Sequence, residues 1–307
     1  MSEKIPEFIV QNGDFVSYES ATVHVMSPAV KYGLSVFEGL RAYKSEADET
    51  VYAFRLQEHT ERLFQSMKLL RFEPSFSAEE INEKTVELLR RVGVQSAAHI
   101  RTTAYIDGMG EQQARKPIGY SISVLEKARK ANTNEGIRCQ VSAWTRIDDT
   151  SMPPRIKCGG NYVNGRLARF QAVQDGYDEA IQLNTAGKVA EAPGACLFAV
   201  RRGEVMTPDV ASGILEGITR DSVMQIAASN GIRVQERQIE KTELYAADEV
   251  FLTGSALELV PVVDIDGIRI GSGQRGPITE KLQRGYFEAV SGAYGRERGW
   301  LTAVPGM

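Results

Sequence analysis

Turn dipeptides set between short β-prone runs constrain this chain more than any other feature. FIVQNGDFVSY places two such runs about Asn12-Gly13, a strong hairpin signal because a two-residue turn needs positive φ at both central positions. VVDIDGIRI repeats the arrangement about Asp266-Gly267, and the strand-rich stretch 178–208 turns at Ala186-Gly187 and Arg202-Gly203. Hairpins join antiparallel neighbours, and here they alternate with helical patterns. In LQEHTERLFQSMKLLRF the residues Leu56, Leu63, Met67 and Leu70 recur at helical spacing. Ser77 and Glu80 form a capping-box pair opening a second helix with Ile81, Leu88, Leu89 and Val92 on its apolar face, and Gly93 ends it. Val163, Leu167, Phe170 and Val173 share a third helical face that stops at Gly176, and a fourth helix is expected from Thr219 to Asn230, with Gly231 as its stop. Residues 23–43 read as strand and turn. This interleaving predicts an α+β fold rather than a doubly wound parallel sheet.

At 307 residues the chain has room for two domains and a large core. EKARKANTNEG, residues 126–136, is polar and lacks large apolar side chains, which predicts an interdomain linker. The expected division is a small N-terminal α+β domain over 1–125 and a larger α+β domain over 137–307. With 25% charged residues, a net charge of −4 and no Lys/Arg run, a nucleic-acid partner is not expected. No stretch approaches the roughly 18 apolar residues that span a bilayer, and MSEKIPEFIV lacks the basic-then-apolar layout of a signal peptide. Cys139, Cys158 and Cys196 are too widely spaced for a disulfide framework. The cytoplasm is the expected compartment. His24, His59 and His99 belong to no HExxH or zinc-spaced cluster, so no metal is expected, and no GxSxG elbow is present.

Four segments carry possible chemistry. SMPPRIKCGGNY, residues 151–162, hems Lys157 between two prolines that stiffen the backbone and two glycines that allow close approach. Taken alone, that lysine is a solvated loop residue, since lysines are seldom buried without a partner. GSGQRG, residues 271–276, fits GxGxxG and precedes the helix-like PITEKLQ. A dinucleotide fingerprint belongs in the first βαβ unit, whereas this one follows a hairpin near the end of the chain. It reads as turn chemistry in preference to a nucleotide-dependent oxidoreductase. ILEGITRD, residues 214–221, leads a glycine into a helix at Ile218 and Thr219, and a helix N-terminus favours anions through its unpaired amides and dipole. LTGS, residues 252–255, ends a strand with a glycine and a hydroxyl.

HVMSPAVKYGLSVFEGLRAY, FRLQEHTERL, IKCGGNY, VAEAPGACLF, ILEGITRD, ADEVFLTGSALELVPV and GPIT, in that order and spanning almost the whole chain, resemble the fold-type-IV pyridoxal-phosphate enzymes. The closest resemblance is to the branched-chain aminotransferases. It implies a two-domain architecture like that of the D-amino-acid aminotransferases. By resemblance Lys157 is the Schiff-base lysine, Tyr162 meets the cofactor's phenolic oxygen and Glu191 is the acidic partner of the pyridine nitrogen. Arg62 matches the phosphate-binding arginine, the amides of Ile218 and Thr219 with Ser255 complete the phosphate cup, and Leu215 packs on the ring. These types suit the chemistry. A lysine that attacks an aldehyde must be neutral, and burial or a nearby cation lowers the ordinary pKa of about 10.4. An anionic glutamate keeps the ring nitrogen protonated, so that the ring can take up carbanion electrons. A forked arginine suits a dianionic phosphate. Taken alone, Glu191 is a surface glutamate, Arg62 a solvated helix arginine and Tyr162 a core tyrosine.

The implied reaction is ping-pong transamination between branched-chain L-amino acids and 2-oxoglutarate through a Lys157 aldimine, with that lysine as general base and acid. In KYGLSVFEGLR, Tyr32 and Phe37 would wall an apolar pocket, Gly39 would leave room for side chains, and Arg41 falls at the family position. Arg101 in HIRT matches the arginine that faces a distal carboxylate, and Ala256 completes the implied substrate set with Ser255. Three departures stand out. His99 occupies the position of a carboxylate-holding tyrosine, Cys196 stands where asparagine is usual, and the segment between Ser123 and Gly136 is shorter than in the family. The resemblance also implies at least a homodimer. Within the family the alternatives are a transaminase of D-amino acids or (R)-amines and, more distantly, an aminodeoxychorismate lyase. Outside the family stands a non-catalytic binding module that keeps the fold.

Overall fold

A computed structural model describes residues 5–128 and 133–306; residues 129–132, at the centre of the expected linker, lie outside the described residues. The chain forms two compact units. In chain order the first contains β1 (Phe8–Gln11), β2 (Asp14–Ser17), α1 (Pro28–Tyr32), β3 (Ser35–Lys44), β4 (Val51–Phe54), α2 (Leu56–Leu69), α3 (Ala78–Val92), β5 (Ala97–Ile106) and β6 (Ile118–Glu126). Next come β7 (Ile137–Val141), α4 (Gly159–Gln174), β8 (Glu179–Ile181), β9 (Cys196–Arg201), β10 (Glu204–Thr207), α5 (Ile218–Ser229), β11 (Val234–Glu236) and α6 (Lys241–Tyr245). The chain ends with β12 (Glu249–Gly254), β13 (Glu258–Ile265), β14 (Ile268–Arg269), α7 (Pro277–Ala289), α8 (Ala293–Glu297) and β15 (Leu301–Ala303).

Among the described residues the first unit is built on an antiparallel sheet of order β15-β4-β3-β5-β6-β1-β2. Asn12 (φ 50°) and Gly13 (φ 90°) turn β1 into β2, so that Gln11 faces Asp14. The long partners β3 and β5 pair from Ser35–Tyr105 to Tyr43–Ala97. Alternation along β3 then separates two faces. Val36, Glu38, Leu40 and Ala42 form one row, with Leu63, Met67, Leu88 and Leu89 of α2 and α3 buried in the same core. Phe37, Gly39, Arg41 and Tyr43 form the other. Ser77 Oγ accepts the Glu80 N–H at 3.2 Å, opening α3. The expected reciprocal bond is replaced, because the Glu80 carboxylate accepts the Tyr120 hydroxyl at 2.7 Å. A further difference lies in residues 23–43, where Ser27 caps a short helix with Pro28 at its first position and Gly33 (φ 70°) closing it.

The second unit has a mixed sheet of order β11-β10-β9-β12-β13-β7-β8, with β14 paired to β13. Leu197, Leu252, Val260 and Val262 sit in its core, and Phe198 stacks on Phe251 at 4.9 Å. In α4 the sequence pattern gave a face but not its direction. Val163, Leu167, Phe170 and Val173 are 41–58% exposed, while Asn161, Gly165, Ala168 and Ala172 are buried. A Cβ on Gly165 would meet the Pro193 Cβ at 3.0 Å, so the small side of this helix packs inward.

Two segments depart from a simple division at 126–136. Ile156–Gly160 and the chain from Glu288 onward pack with the first unit. The Lys157 carbonyl accepts the Phe37 N–H at 2.9 Å, Val36 bridges to Cys158, and β15 pairs with β4. The lysine segment, expected in the C-terminal domain, is thus held by N-terminal backbone. Among the described residues no helix is long and apolar enough to cross a membrane, and no group of three His, Cys, Asp or Glu side chains is placed to hold a metal.

Candidate active site

In the first unit the lysine of the opening motif is tied down at both peptide groups. The Lys157 N–H donates to Ser66 Oγ at 3.2 Å, and its carbonyl accepts from Phe37. Its side chain is buried, with Nζ 4.9 Å from the centre of the Phe37 ring. The Arg101 guanidinium lies 4.0 Å from the same ring. The β3–β5 register sets Gly39 against Arg101 and Arg41 against His99, so Phe37, Gly39, Arg41, His99 and Arg101 share one sheet face. A Cβ on Gly39 would lie 3.2 Å from His99 Nε2, so the missing side chain makes room for the imidazole.

Charge on this face is one-sided. Burial, then the cations Lys127, Arg41, Arg101 and Lys157, pull His99 down to about 4. The imidazole is neutral at physiological pH and retains one N–H donor. Arg41 is buried and donates through Nη2 to the Lys127 carbonyl, while its buried Nε has no hydrogen-bond partner among the described residues. Tyr32 stands apart from this group. It ends α1 with its ring 41% exposed, its hydroxyl donating to Glu111 at 2.9 Å.

On the opposite face of β3, Arg62 forks onto Glu38 through Nε (2.7 Å) and Nη2 (2.8 Å), and His59 Nδ1 meets the same carboxylate at 2.7 Å. Burial pushes the Glu38 carboxyl up, but Arg62 and His59 outweigh it and hold the group well below the usual carboxylate range. Burial pulls His59 below its ordinary value against the opposing pull of Glu38, so the neutral ring donates from Nδ1. Sequence reasoning missed Glu38, His59 and Ser66. One signal was available: a single acid in the apolar row of a strand must find a cation or hydrogen-bond donors.

In the second unit Glu191 is buried and ion-paired. Its Oε1 receives Arg146 Nη2 at 2.6 Å and the Leu215 N–H at 3.1 Å. Arg146 is itself buried, its N–H bonded to the Leu183 carbonyl at 2.8 Å. Nothing in the local sequence about Arg146 marks it as the partner of a distant glutamate, and sequence reasoning missed it. Cys196 lies beside the pair, with Sγ 3.8 Å from Glu191 Oε2 and 3.6 Å from the Leu215 carbonyl. A Cβ on Gly217 would fall 2.7 Å from that sulfur, so only glycine fits where α5 begins. Gly217 caps α5 without a side-chain bond, and Ile218 and Thr219 are buried in its first turn. The structure thus gathers Glu191, Leu215 and the start of α5 about one sulfur atom.

Ser255 and Ala256 lie in the turn between β12 and β13, where Gly254 pairs with Glu258. Just before it, the buried Thr253 hydroxyl has no hydrogen-bond partner among the described residues. Tyr162 is half-buried in the first turns of α4, next to Asn161, whose Nδ2 donates to the Pro153 carbonyl at 3.0 Å. The GSGQRG segment has a different fate. Glu249 accepts the N–H groups of Ile278 (3.1 Å) and Thr279 (2.7 Å) and the Thr279 hydroxyl (2.6 Å). A Cβ on Gly276 would overlap that carboxylate at 2.1 Å. An internal anion therefore occupies the start of α7, which removes the basis for a nucleotide there.

Residues 35–265 match the family described as amino-transferase class IV. Over 303 residues the chain is 43% identical to a probable branched-chain-amino-acid aminotransferase of Aquifex aeolicus, covering 97% of each chain. Among solved structures it is similar to the branched-chain aminotransferase of Thermoproteus uzoniensis with norvaline: TM-score 0.92, 40% identity, 97% of this chain and 99% of that one. It is also similar to the holo, PLP form of the branched-chain amino acid aminotransferase of Thermobaculum terrenum: TM-score 0.93, 39% identity, 99% of this chain and 100% of that one.

Proposed function

Because the chain belongs to the class IV aminotransferase family, we propose that it transfers the amino group of branched-chain L-amino acids to 2-oxoglutarate in ping-pong order, with pyridoxal phosphate as cofactor. The observation that carries this reading is the buried Glu191 carboxylate clamped by Arg146 at 2.6 Å. A desolvated anion held by a permanent cation suits a protonated pyridine nitrogen, and it has little purpose in an apolar core otherwise. The remaining donors fit the group as well. A twelve-residue helix starts at Ile218 behind a glycine that offers no capping side chain, and its positive end suits a phosphate.

In this reading Arg62, the amides of Ile218 and Thr219, and Ser255 hold the phosphate. Leu215 packs on the ring, Tyr162 meets the phenolic oxygen, and Lys157 attaches the cofactor covalently through Nζ. When bound, the cofactor supplies an electron sink for the substrate α-carbon. Once the donor's amino group had taken its place on the cofactor, the freed Lys157 Nζ would take the proton from the substrate α-carbon as general base and deliver it to the cofactor side as general acid. Phe37 and Gly39 receive the side chain of the donor, with Tyr32 and Ala256 in the wider substrate set. Arg101 takes the distal carboxylate of glutamate or 2-oxoglutarate, while Arg41 and His99 attend to carboxylates on the same sheet face.

We place the enzyme in the cytoplasm as a homodimer or larger assembly. The exposed apolar row Val163, Leu167, Phe170 and Val173 supports self-association, since contiguous exposed apolar patches mark interaction surfaces. A second reading, with D-amino acids or (R)-amines as donors, draws on the neutral His99 at the tyrosine position. Donor assays with L-leucine, D-alanine and (R)-1-phenylethylamine onto 2-oxoglutarate separate the two. Turnover with L-leucine is expected, and a D-donor accepted without L-leucine would overturn the first reading. Borohydride reduction of the holoenzyme should fix the cofactor on Lys157. A reduced adduct elsewhere, or full turnover by Lys157→Ala, would refute its role.

A further inference from the structure

We propose that the inward face of α2 sets the distance between the two anchors of the cofactor, with Glu38 as the positioning residue for Arg62 and Ser66 as the positioning residue for Lys157. The proposal rests on the reading of Arg62 as a phosphate ligand and Lys157 as the attachment point. His59, Arg62 and Ser66 lie at i, i+3 and i+7 of one helix, hence within one narrow stripe. All three side chains contact groups on or beside β3. Arg62 and His59 converge on Glu38, while Ser66 Oγ receives the Lys157 N–H at 3.2 Å. The residue before Glu38 completes the frame. Phe37 donates its N–H to the Lys157 carbonyl and presents its ring 4.9 Å from the lysine Nζ. Two consecutive strand residues therefore serve opposite faces of the sheet: Phe37 holds the lysine, Glu38 the arginine.

Stability alone gives little reason for this arrangement. A buried ion pair is a weak source of folding energy, and an apolar pair of similar volume does at least as well. What a bidentate fork adds is direction. With Nε and Nη2 both engaged at 2.7 and 2.8 Å, the guanidinium plane is fixed and its far edge is aimed. His59 contributes without competing. Burial keeps the ring neutral, so it satisfies the second carboxylate oxygen without adding a charge that would draw Glu38 away from Arg62.

The test compares the affinity of the apoenzyme for pyridoxal phosphate with its affinity for pyridoxal, which lacks the phosphate. The ratio of the two dissociation constants isolates the phosphate contribution from general damage. Glu38→Gln is expected to shrink that ratio about tenfold, the effect of misaligning one charge-assisted hydrogen bond. Arg62→Gln should shrink it at least as much, and Ser66→Ala should weaken both ligands equally and leave the ratio intact. If Arg62→Gln lowers the ratio while Glu38→Gln does not, the positioning role of Glu38 is wrong although the cofactor reading stands. An unchanged ratio in Arg62→Gln refutes the phosphate reading itself. A ratio altered by Ser66→Ala refutes the assignment of that residue to the lysine end. Should Glu38→Gln fail to fold, His59→Gln decides: a fall of about threefold supports the clamp, and an unchanged ratio overturns it.

Discussion

Arg146→Met is the most informative single perturbation outside the residues expected to touch the cofactor. Methionine keeps most of the arginine stem and removes its charge. In the native chain Arg146 and Glu191 retain only 6% and 4% of side-chain exposure and meet at 2.6 Å. After the substitution Glu191 keeps the Leu215 N–H at 3.1 Å and a thiol 3.8 Å away, neither of which supplies a full counter-charge. Removing one partner of a buried pair costs about 3–5 kcal/mol, because the other charge stays desolvated. That is a large fraction of the roughly 5–15 kcal/mol that holds a domain folded. With a urea m-value of about 2–3 kcal/mol/M, the midpoint of unfolding, followed by far-UV circular dichroism, should fall by roughly 1–2 M. The double variant Arg146→Met/Glu191→Gln removes the carboxylate charge as well and should recover at least half of the loss. The cycle then has an interaction term of about 2 kcal/mol or more. A midpoint shift below about 0.3 M, or strictly additive variants, would refute the picture of Arg146 as the main counter-charge of the buried Glu191.

Two further outcomes are expected. His99 titrates near 4 when folded against 6.5 for an ordinary histidine, so the unfolded chain binds this proton first. Its contribution, at most roughly 3 kcal/mol, is intact above pH 6.5, declines as pH falls from 6.5 to 4 and is gone below; His99→Gln should flatten that part of the stability profile, and an identical slope in both proteins would contradict the burial and cationic surroundings assigned to the ring. Phe170→Glu alters a residue that is 56% exposed, so folding stability should change by no more than about 0.5 kcal/mol. Light scattering should show the native protein as a dimer or larger and this variant shifted toward monomer, and a monomeric native protein would remove the case for self-association.

Much of the fold is written locally and was therefore legible. Asn12-Gly13 and Asp266-Gly267 make hairpins because their backbone preferences act within four residues. The apolar spacing of α2 and α3 likewise reports a face before any partner exists. Partners are another matter. The row on α4 has the period of a core face, yet it points outward, because the opposite side of small residues packs closer to Pro193. Period identifies a face and not what covers it. The site follows the same division. Arg62 and Glu191 stood in recognisable segments, whereas Glu38 and Arg146, on which they depend, are found only once β3 meets α2 and the Arg146 loop meets Glu191.

Two glycine-led helix starts make the point most sharply. GSGQRG-PIT and LEG-ITR offer the same local promise of an anion site, with small residues, a helix and a positive dipole end. Chain position argued against the first. The structure gives a stronger reason, since the carboxylate of Glu249 already receives two amides and a hydroxyl at the start of α7. At α5 the buried acid of the neighbourhood is Glu191. One of its oxygens is engaged by Arg146 and the Leu215 amide, and Gly217 brings no side chain of its own. A helix N-terminus becomes a ligand site when the nearest internal anion is otherwise engaged, and that condition is a property of tertiary pairing. Arg146 therefore matters twice in the proposed reaction: it gives Glu191, the proposed partner of the ring nitrogen, a buried counter-ion, and it shares the Glu191 Oε1 with the Leu215 amide just ahead of α5.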